Sequence, residues 1–206
     1  TIAQLAARYE CIILEDDIYA ECSHNGQRPR PIKHWDEAGY VVWVSSVSKS
    51  LSSAYRIGWF CIGAQLESMR PQFLSHNMIV NTPLQLALAD FIFSRAYRAH
   101  LNQLYPRLLQ QVEAYRDAIL NAFAPLSIGL SQPQGGYALW LELPETINSM
   151  TLYEVAQQHG INIVPGTVFG EDQRYGHFIR LSVGHALRRD YHAAIIFLAD
   201  WVKQHG

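Results

Sequence analysis

The amino-acid sequence predicts an α/β fold with a mostly parallel sheet, then a long helix, then a smaller α+β region. First, three short apolar runs rich in β-branched or aromatic residues are bounded by polar turns, which is typical of strands buried on both faces. Second, the apolar spacing over Arg95–Phe123 predicts one amphipathic helix that contains Pro106. Third, strand and helix patterns alternate after Pro125. The three apolar runs are Cys11–Leu14, Val41–Val44 and Ile57–Ile62.

The other elements follow from the same patterns. Thr1–Glu10 predicts an amphipathic helix with no cap region before it, so we expect a chain that starts in mid-domain. Asn81–Phe93 has helical spacing, and Leu152–His159 runs into Gly160, a residue suited to a helix end. Leu187–Gln204 predicts a closing helix that covers the second sheet. The strands predicted for that sheet are Ser127–Leu130, Tyr137–Leu143, Ile161–Val164 and Phe178–Val183.

These patterns divide the chain into the end of a large α/β domain (1–95), a connecting helix (96–124) and a small α+β domain (125–206). A net charge of -2 provides no basic surface for nucleic acid. No apolar run approaches the length needed to cross a membrane. Cys11 and Cys61 lie in apolar runs, so we expect buried free thiols, which favours the cytoplasm.

The most informative segment is Ser45–Leu51, which reads Ser-Ser-Val-Ser-Lys-Ser-Leu and is followed by Arg56-Ile57-Gly58-Trp59. Lys49 follows a predicted buried strand among hydroxyl side chains, and a partly desolvated lysine amine is suited to Schiff-base chemistry. Arg56 and the nearby hydroxyls have the chemistry to bind a phosphate. The alternative is a flexible serine loop with a surface lysine. Lys33 and Lys203 are expected at ordinary solvated positions.

Acidic residues follow the first predicted strand, in the segment Asp16-Asp17-Ile18-Tyr19. Ligands bind at strand ends in open α/β sheets. A carboxylate there can hold a protonated pyridine nitrogen, and Tyr19 can donate a hydrogen bond to a phenolic ring oxygen. The alternative is that Asp16 or Asp17 caps the next turn. Arg28 and Arg30, beside prolines, are expected on a solvated loop.

Together these motifs resemble the fold-type I, pyridoxal 5′-phosphate (PLP)-dependent aminotransferases of class I/II. Asp-x-x-Tyr precedes Ser-x-x-Lys, with an arginine seven residues after the lysine. Pro133–Tyr137, Val164–Gly166 with Phe169, and Arg180–Ser182 match the family's small domain in the same order. The resemblance covers essentially the whole chain. It implies the C-terminal part of an aspartate aminotransferase-like fold, with the rest of the large domain's mixed sheet and a smaller α+β domain.

The resemblance implies a role for seven residues and no metal site. Lys49 resembles the lysine that attaches PLP as an aldimine and later moves the substrate proton. Asp16 resembles the carboxylate that pairs with the pyridinium nitrogen, and Tyr19 resembles the partner of the ring oxygen. Arg180 resembles the arginine that binds a substrate α-carboxylate. The residues that resemble phosphate ligands are Ser46, Ser48 and Arg56.

Two segments resemble a subgroup, the MocR-type regulators of the GntR family, which join a winged helix-turn-helix to an aminotransferase-like domain. These segments are Gly135–Pro144 and the Tyr97–Asp117 part of the long helix. The resemblance implies a homodimeric effector domain that senses an amino acid or similar ligand and contacts DNA only through a domain outside this sequence. Two alternatives stay open: a stand-alone aminotransferase of the 2-aminoadipate type, and a truncated dimerisation fragment without cofactor. Whether transamination is retained is also open.

The PLP site is expected to be incomplete in this chain. In the resembled family, a preceding segment supplies a Gly/Ser loop for the phosphate, an aromatic residue over the ring and an asparagine for the ring oxygen. Residues 1–206 contain no counterpart of these parts. We therefore expect PLP to be absent from this fragment. The first three strands should also lack neighbours, and a second chain or self-association is expected to complete the fold.

Overall fold

The computed structural model describes residues 1–76, 81–170 and 173–206. The chain divides into two compact units, Thr1–Tyr105 and Pro106–Gly206, each of which is described by itself. The boundary between them falls within the longest helix, α4, which spans Arg95–Ala122 and contains Pro106, as the sequence predicts. Within the described residues, no helix combines the length and the apolar character that crossing a membrane requires.

The first unit contains a three-stranded mixed sheet with β2 in the centre. β1 runs parallel to β2, and β3 runs antiparallel to it. Val41 and Val42 of β2 are almost completely buried. The strands are β1 (Ile13–Asp16), β2 (Val41–Ser46) and β3 (Gly58–Cys61).

The outer strands of this sheet are more exposed than the sequence predicts. Leu14 of β1 is 68% exposed, so the expectation of strands buried on both faces is wrong for β1. Cys11 and Cys61 are exposed, which corrects the prediction that their thiols are buried, whereas Cys22 is fully buried. For Leu14 and Cys61 the reason is topological, because β1 and β3 are the two edges of a small sheet.

Among the described residues, three α-helices lie wholly within the first unit: α1 (Ile2–Tyr9), α2 (Arg70–His76) and α3 (Thr82–Ile92). The expectation that α1 begins without a cap is wrong, because Thr1 is itself the cap. The Thr1 hydroxyl accepts a hydrogen bond from the Gln4 amide, and the Gln4 side chain accepts one from the Thr1 amino group at 2.7 Å. This reciprocal pair is a capping box.

A buried carboxylate organises the loop before β2. The Asp36 side chain accepts hydrogen bonds from the amides of Gly39, Tyr40 and Val41 at 2.8, 2.9 and 2.9 Å. Lys33 donates to Asp36 at 2.9 Å and to the Val41 carbonyl at 2.7 Å. Only 17% of the Lys33 side chain is exposed, so the prediction of an ordinary solvated lysine is wrong. Lys33 is a structural residue.

The second unit contains a four-stranded antiparallel sheet in the order β4-β5-β7-β6. All four strands predicted from the sequence are present, and each is shorter than predicted. Helix α5 (Ser149–Gln158) starts at a capping Asn148, and α6 (Arg189–His205) closes the unit. The strands are β4 (Gly129–Leu130), β5 (Ala138–Glu142), β6 (Val164–Pro165) and β7 (Phe178–Ser182).

The core of the second unit lies between this sheet and the C-terminal half of α4, α5 and α6. Each element contributes fully buried side chains, and this apolar burial is the main source of stability for such a unit. The packing of α6 confirms that the closing helix covers the second sheet. Representative fully buried residues are Ile119, Leu139, Leu152, Ile179 and Val202.

Candidate functional site

Lys49 lies in a tight turn directly after β2. The Val47 carbonyl accepts hydrogen bonds from the amides of Leu51 and Ser52, at 2.9 and 3.2 Å, and these bonds close the turn. Lys49 is half-buried, and its Nζ atom lies 5.3 Å from the centroid of the Tyr19 ring. A cation at this distance is attracted by the electron-rich face of the ring. The structure therefore brings together two of the residues that the sequence predicts for the site.

Side chains from two other elements hold the backbone of this turn. The Cys22 thiol donates to the Lys49 carbonyl at 3.5 Å, and burial raises the pKa of that thiol to about 11, so it stays protonated. The Ser50 hydroxyl hydrogen-bonds the Tyr97 hydroxyl at 2.9 Å. The Ser50 carbonyl accepts from Nε2 of His100 at 2.7 Å. Sequence reasoning missed these contacts.

Asp16 is the last residue of β1 and is exposed. Its Oδ1 atom accepts a hydrogen bond from the Ile18 amide at 3.2 Å, so the alternative of a turn-capping aspartate is also observed. Because β1 and β2 are parallel, their carboxyl ends lie at the same edge of the sheet. Asp16 therefore lies, exposed, at the edge from which the Lys49 turn starts.

The neighbouring acid, Asp17, is used within the protein. Its Oδ2 atom accepts from Arg28 at 2.6 Å and from the Trp43 indole at 2.7 Å. Arg28 also donates to Glu21 at 2.6 Å. Burial disfavours the charge on Arg28, but the hydrogen bond to Glu21 and the Asp17 charge outweigh it and raise the pKa of the guanidinium. The prediction that Arg28 lies on a solvated loop is therefore wrong, and Asp16 is the acid left for a ligand.

The predicted phosphate ligands lie on the two sides of the β2–β3 connection. The Ser46 hydroxyl accepts from the Ser48 amide at 3.2 Å. Ser46 pairs with Gly58 at the start of β3, which places Arg56 two residues from this pair. Arg56 is exposed and has a left-handed backbone, with φ of 52°. That conformation is uncommon for residues other than glycine, and it occurs often at functional sites.

Arg180 lies in the second unit, within β7, where it is opposite Trp140 of β5 and Val164 of β6. Its guanidinium carbon lies 5.4 Å from the centroid of the Phe169 ring. Among residues 1–76, 81–170 and 173–206, Arg180 has no carboxylate partner. Its side chain is exposed. This arginine therefore has a charged fork available for an anion.

The second unit also contains a cavity of about 890 Å³ between β7, α6 and the segment after α5. Tyr115 lines it, and burial, followed by the neighbouring Tyr191 and Asp190, raises the pKa of Tyr115 to about 12. None of the seven residues predicted for the site lines this cavity. The candidate site is therefore the Lys49 turn and the adjacent sheet edge.

The groups at this edge fit PLP in kind. They comprise an amine for the aldehyde, an exposed carboxylate for the pyridine nitrogen, a phenol for the ring oxygen, and hydroxyl and guanidinium groups for the phosphate. Within the part of the chain that the structure describes, no cluster of histidine, cysteine, aspartate or glutamate could hold a metal ion. The residues with these groups are Lys49, Asp16, Tyr19, Ser46, Ser48 and Arg56.

Comparison with known proteins supports the resemblance found in the sequence. A model of the family "Aminotransferase class I and II" matches residues 1–194 of this chain. The crystal structure of kynurenine aminotransferase from Pyrococcus horikoshii, in complex with PMP, KYN as substrates and KYA as products, superposes with a TM-score of 0.81 at 26% identity. That comparison covers 98% of this chain and 50% of the enzyme.

Curated relatives fall into two groups. The uncharacterized HTH-type transcriptional regulator YdcR of Escherichia coli K12 is 34% identical over 183 residues, covering 87% of this chain and 39% of the regulator. Aromatic-amino-acid aminotransferase 1 of Thermococcus litoralis is 29% identical over 210 residues, covering 98% of this chain and 49% of the enzyme. The chain thus spans at most about half the length of these relatives.

Proposed function

We propose that this chain, which belongs to the aminotransferase class I and II family, provides the lysine-bearing part of a PLP site. In this proposal, the site lies in the effector domain of a MocR/GntR-type transcriptional regulator. The observation that carries the proposal is the Lys49 turn. This turn holds the lysine amine against the Tyr19 ring, at the sheet edge where Asp16 is exposed. Three side chains, those of Cys22, Tyr97 and His100, hold this turn in place. A flexible serine loop on the surface would not need such contacts.

Each residue at the edge has a physical task in this proposal. When bound, PLP acts as an electron sink for charge that develops on the α-carbon of an amino acid. Lys49 binds the cofactor covalently and, when its amine is free, moves the proton at that α-carbon. Asp16 keeps a proton on the pyridine nitrogen, and Tyr19 donates a hydrogen bond to the ring oxygen.

The phosphate and carboxylate contacts complete the proposed set. Ser46, Ser48 and Arg56 bind the phosphate, the arginine through its planar fork. Arg180 binds the α-carboxylate of the amino-acid ligand. The ligand class is therefore an amino acid or a close analogue.

The sequence identities favour a regulator over a stand-alone enzyme. The regulator YdcR is 34% identical to this chain, whereas the T. litoralis aminotransferase is 29% identical. In this proposal, the intact protein is a cytoplasmic homodimer and binds DNA through a domain outside the 206 residues. The second candidate is a stand-alone aminotransferase, of the 2-aminoadipate or a related type, and the T. litoralis relative supports it. The third candidate, a dimerisation fragment without cofactor, would leave the Lys49 turn without a ligand.

The decisive experiment uses the intact protein and combines three measurements. PLP is added and the visible absorbance of lysine-bound cofactor is recorded, amino acids are titrated, and DNA binding is followed in parallel. A regulator should show the band, respond spectrally to an amino acid and change its affinity for DNA. An aminotransferase should instead convert an amino acid and a 2-oxo acid with steady turnover and no DNA binding. A protein that never shows the band would refute both and leave the dimerisation fragment.

A further inference from the structure

We infer that Tyr97 and His100 of α4 are positioning residues for Lys49, a role that rests on the proposed function of that lysine. Both act through Ser50, the residue that follows Lys49 in the chain. His100 donates to the Ser50 carbonyl at 2.7 Å, and Tyr97 hydrogen-bonds the Ser50 hydroxyl at 2.9 Å. One helix therefore holds one residue of the turn by both its backbone and its side chain.

Burial and ring packing stabilise the hydrogen bonds between α4 and Ser50. Ser50 and Tyr97 are 4% and 8% exposed, so water competes little for their hydrogen bonds. Tyr97 and His100 lie three residues apart on one face of α4, and their rings stack with centroids 6.2 Å apart. Phe91 also packs edge-on against Tyr97, with ring centroids 5.7 Å apart. Burial raises the pKa of the Tyr97 hydroxyl, which therefore stays protonated.

This clamp matters for Lys49 because attachment of a cofactor needs the amine in a defined place. The Lys49 nitrogen would form a C=N bond to the aldehyde carbon of PLP, with loss of one water. Small displacements of a reacting group are costly in such a step. Cys22 fixes the Lys49 carbonyl on one side, and α4 fixes Ser50 on the other. The direction in which Lys49 leaves the turn is therefore set in part by α4.

A second cofactor form separates positioning from general stability. Pyridoxamine 5′-phosphate has the ring and phosphate of PLP but an amine in place of the aldehyde, so it cannot bond covalently to lysine. If the clamp positions Lys49, its loss weakens the binding of PLP and leaves that of pyridoxamine 5′-phosphate. If the clamp only stabilises the whole site, its loss weakens both.

The experiment compares three variants of the turn contacts with one control variant, all in the intact protein. In His100→Leu and Tyr97→Phe, PLP affinity should fall by about tenfold while pyridoxamine 5′-phosphate affinity stays within about twofold, as expected when one buried hydrogen bond is lost. His100→Gln should restore PLP binding, because its amide nitrogen can donate to the Ser50 carbonyl. His205→Leu is the matched control, since that exposed histidine also bonds a carbonyl, at 2.8 Å, at the end of α6.

The outcomes separate this inference from the proposed function. Equal weakening of both cofactor forms, or no weakening of either, overturns the positioning role. If Lys49→Ala still traps PLP on borohydride reduction, the proposed attachment fails, and the inference fails with it. If Lys49→Ala abolishes trapping but His100→Leu has no selective effect on PLP, only the inference fails.

Discussion

Replacing Arg180 by alanine should weaken the binding of an amino-acid ligand through loss of its carboxylate contact. Arg180 is exposed on β7, rests on the Phe169 ring at 5.4 Å and has no carboxylate partner among the described residues. No ion pair within the described protein would therefore be broken by the substitution. The effect on binding should come from the ligand itself.

The magnitude follows from the kind of contact. A bidentate pair between arginine and carboxylate in a closed site is worth about 2–5 kcal/mol when one partner is removed. Because Arg180 is exposed in its unit, solvent screening places the expected loss at the lower end, about 2 kcal/mol, or roughly thirtyfold in Kd. Arg180→Lys should recover only part of this loss, since it keeps the charge but not the planar fork.

Calorimetric or spectral titration of the intact protein measures this effect. The ligand should be tested both as the free amino acid and as its methyl ester, which lacks the negative charge. Arg180→Ala should weaken the acid selectively and leave the ester nearly unchanged. Arg189→Ala, an exposed arginine at the start of α6, is the matched control. Equal losses for acid and ester would mean that Arg180 shapes the site without binding the carboxylate, and no loss at all would refute the role.

Two further predictions concern stability. Asp36→Asn should destabilise the protein by about 2 kcal/mol in urea unfolding, because the Asp36 carboxylate is buried and hydrogen-bonded. Burial alone would raise the pKa of Asp36, but the hydrogen bonds from Lys33 and the Val41 amide lower it below the ordinary 3.8. The ionised Asp36 side chain therefore stabilises the fold above pH 3.8. The difference between wild type and variant should therefore shrink as pH falls through the lowered pKa, and a constant difference would contradict this. Gly166→Ala should cost about 2 kcal/mol or more in the same assay, because its Cβ would overlap the Tyr175 carbonyl oxygen, and an unchanged midpoint would show that the loop adapts.

The sequence predicted the elements of the fold because their patterns are local. The alternation of β5 and the apolar spacing of α4 are fixed by neighbours a few residues apart. Family motifs then indicated Lys49, Asp16 and Tyr19 as site residues, and the parallel pairing of β1 with β2 explains why segments so far apart in the sequence end at one edge of the sheet.

What the sequence could not predict depends on contacts between distant segments. The exposure of Cys61 depends on the position of β3 at the edge of the sheet. Ser50 forms hydrogen bonds with Tyr97 and His100, which lie 47 and 50 positions further along the chain. No local sequence pattern indicates such distant partners. The three-residue spacing of Tyr97 and His100 predicts that they share one face of the helix, but it does not show that they contact Ser50.

The central claim is that Lys49 binds the cofactor, and covalent trapping tests it most directly. The intact protein is incubated with PLP, reduced with borohydride, digested and analysed by mass spectrometry, beside Lys49→Ala and the exposed control Lys203→Ala. We predict a phosphopyridoxyl group on Lys49 in wild type and in Lys203→Ala, and none in Lys49→Ala. A label on Lys33 or Lys203 instead of Lys49, or trapping retained in Lys49→Ala, would contradict the account.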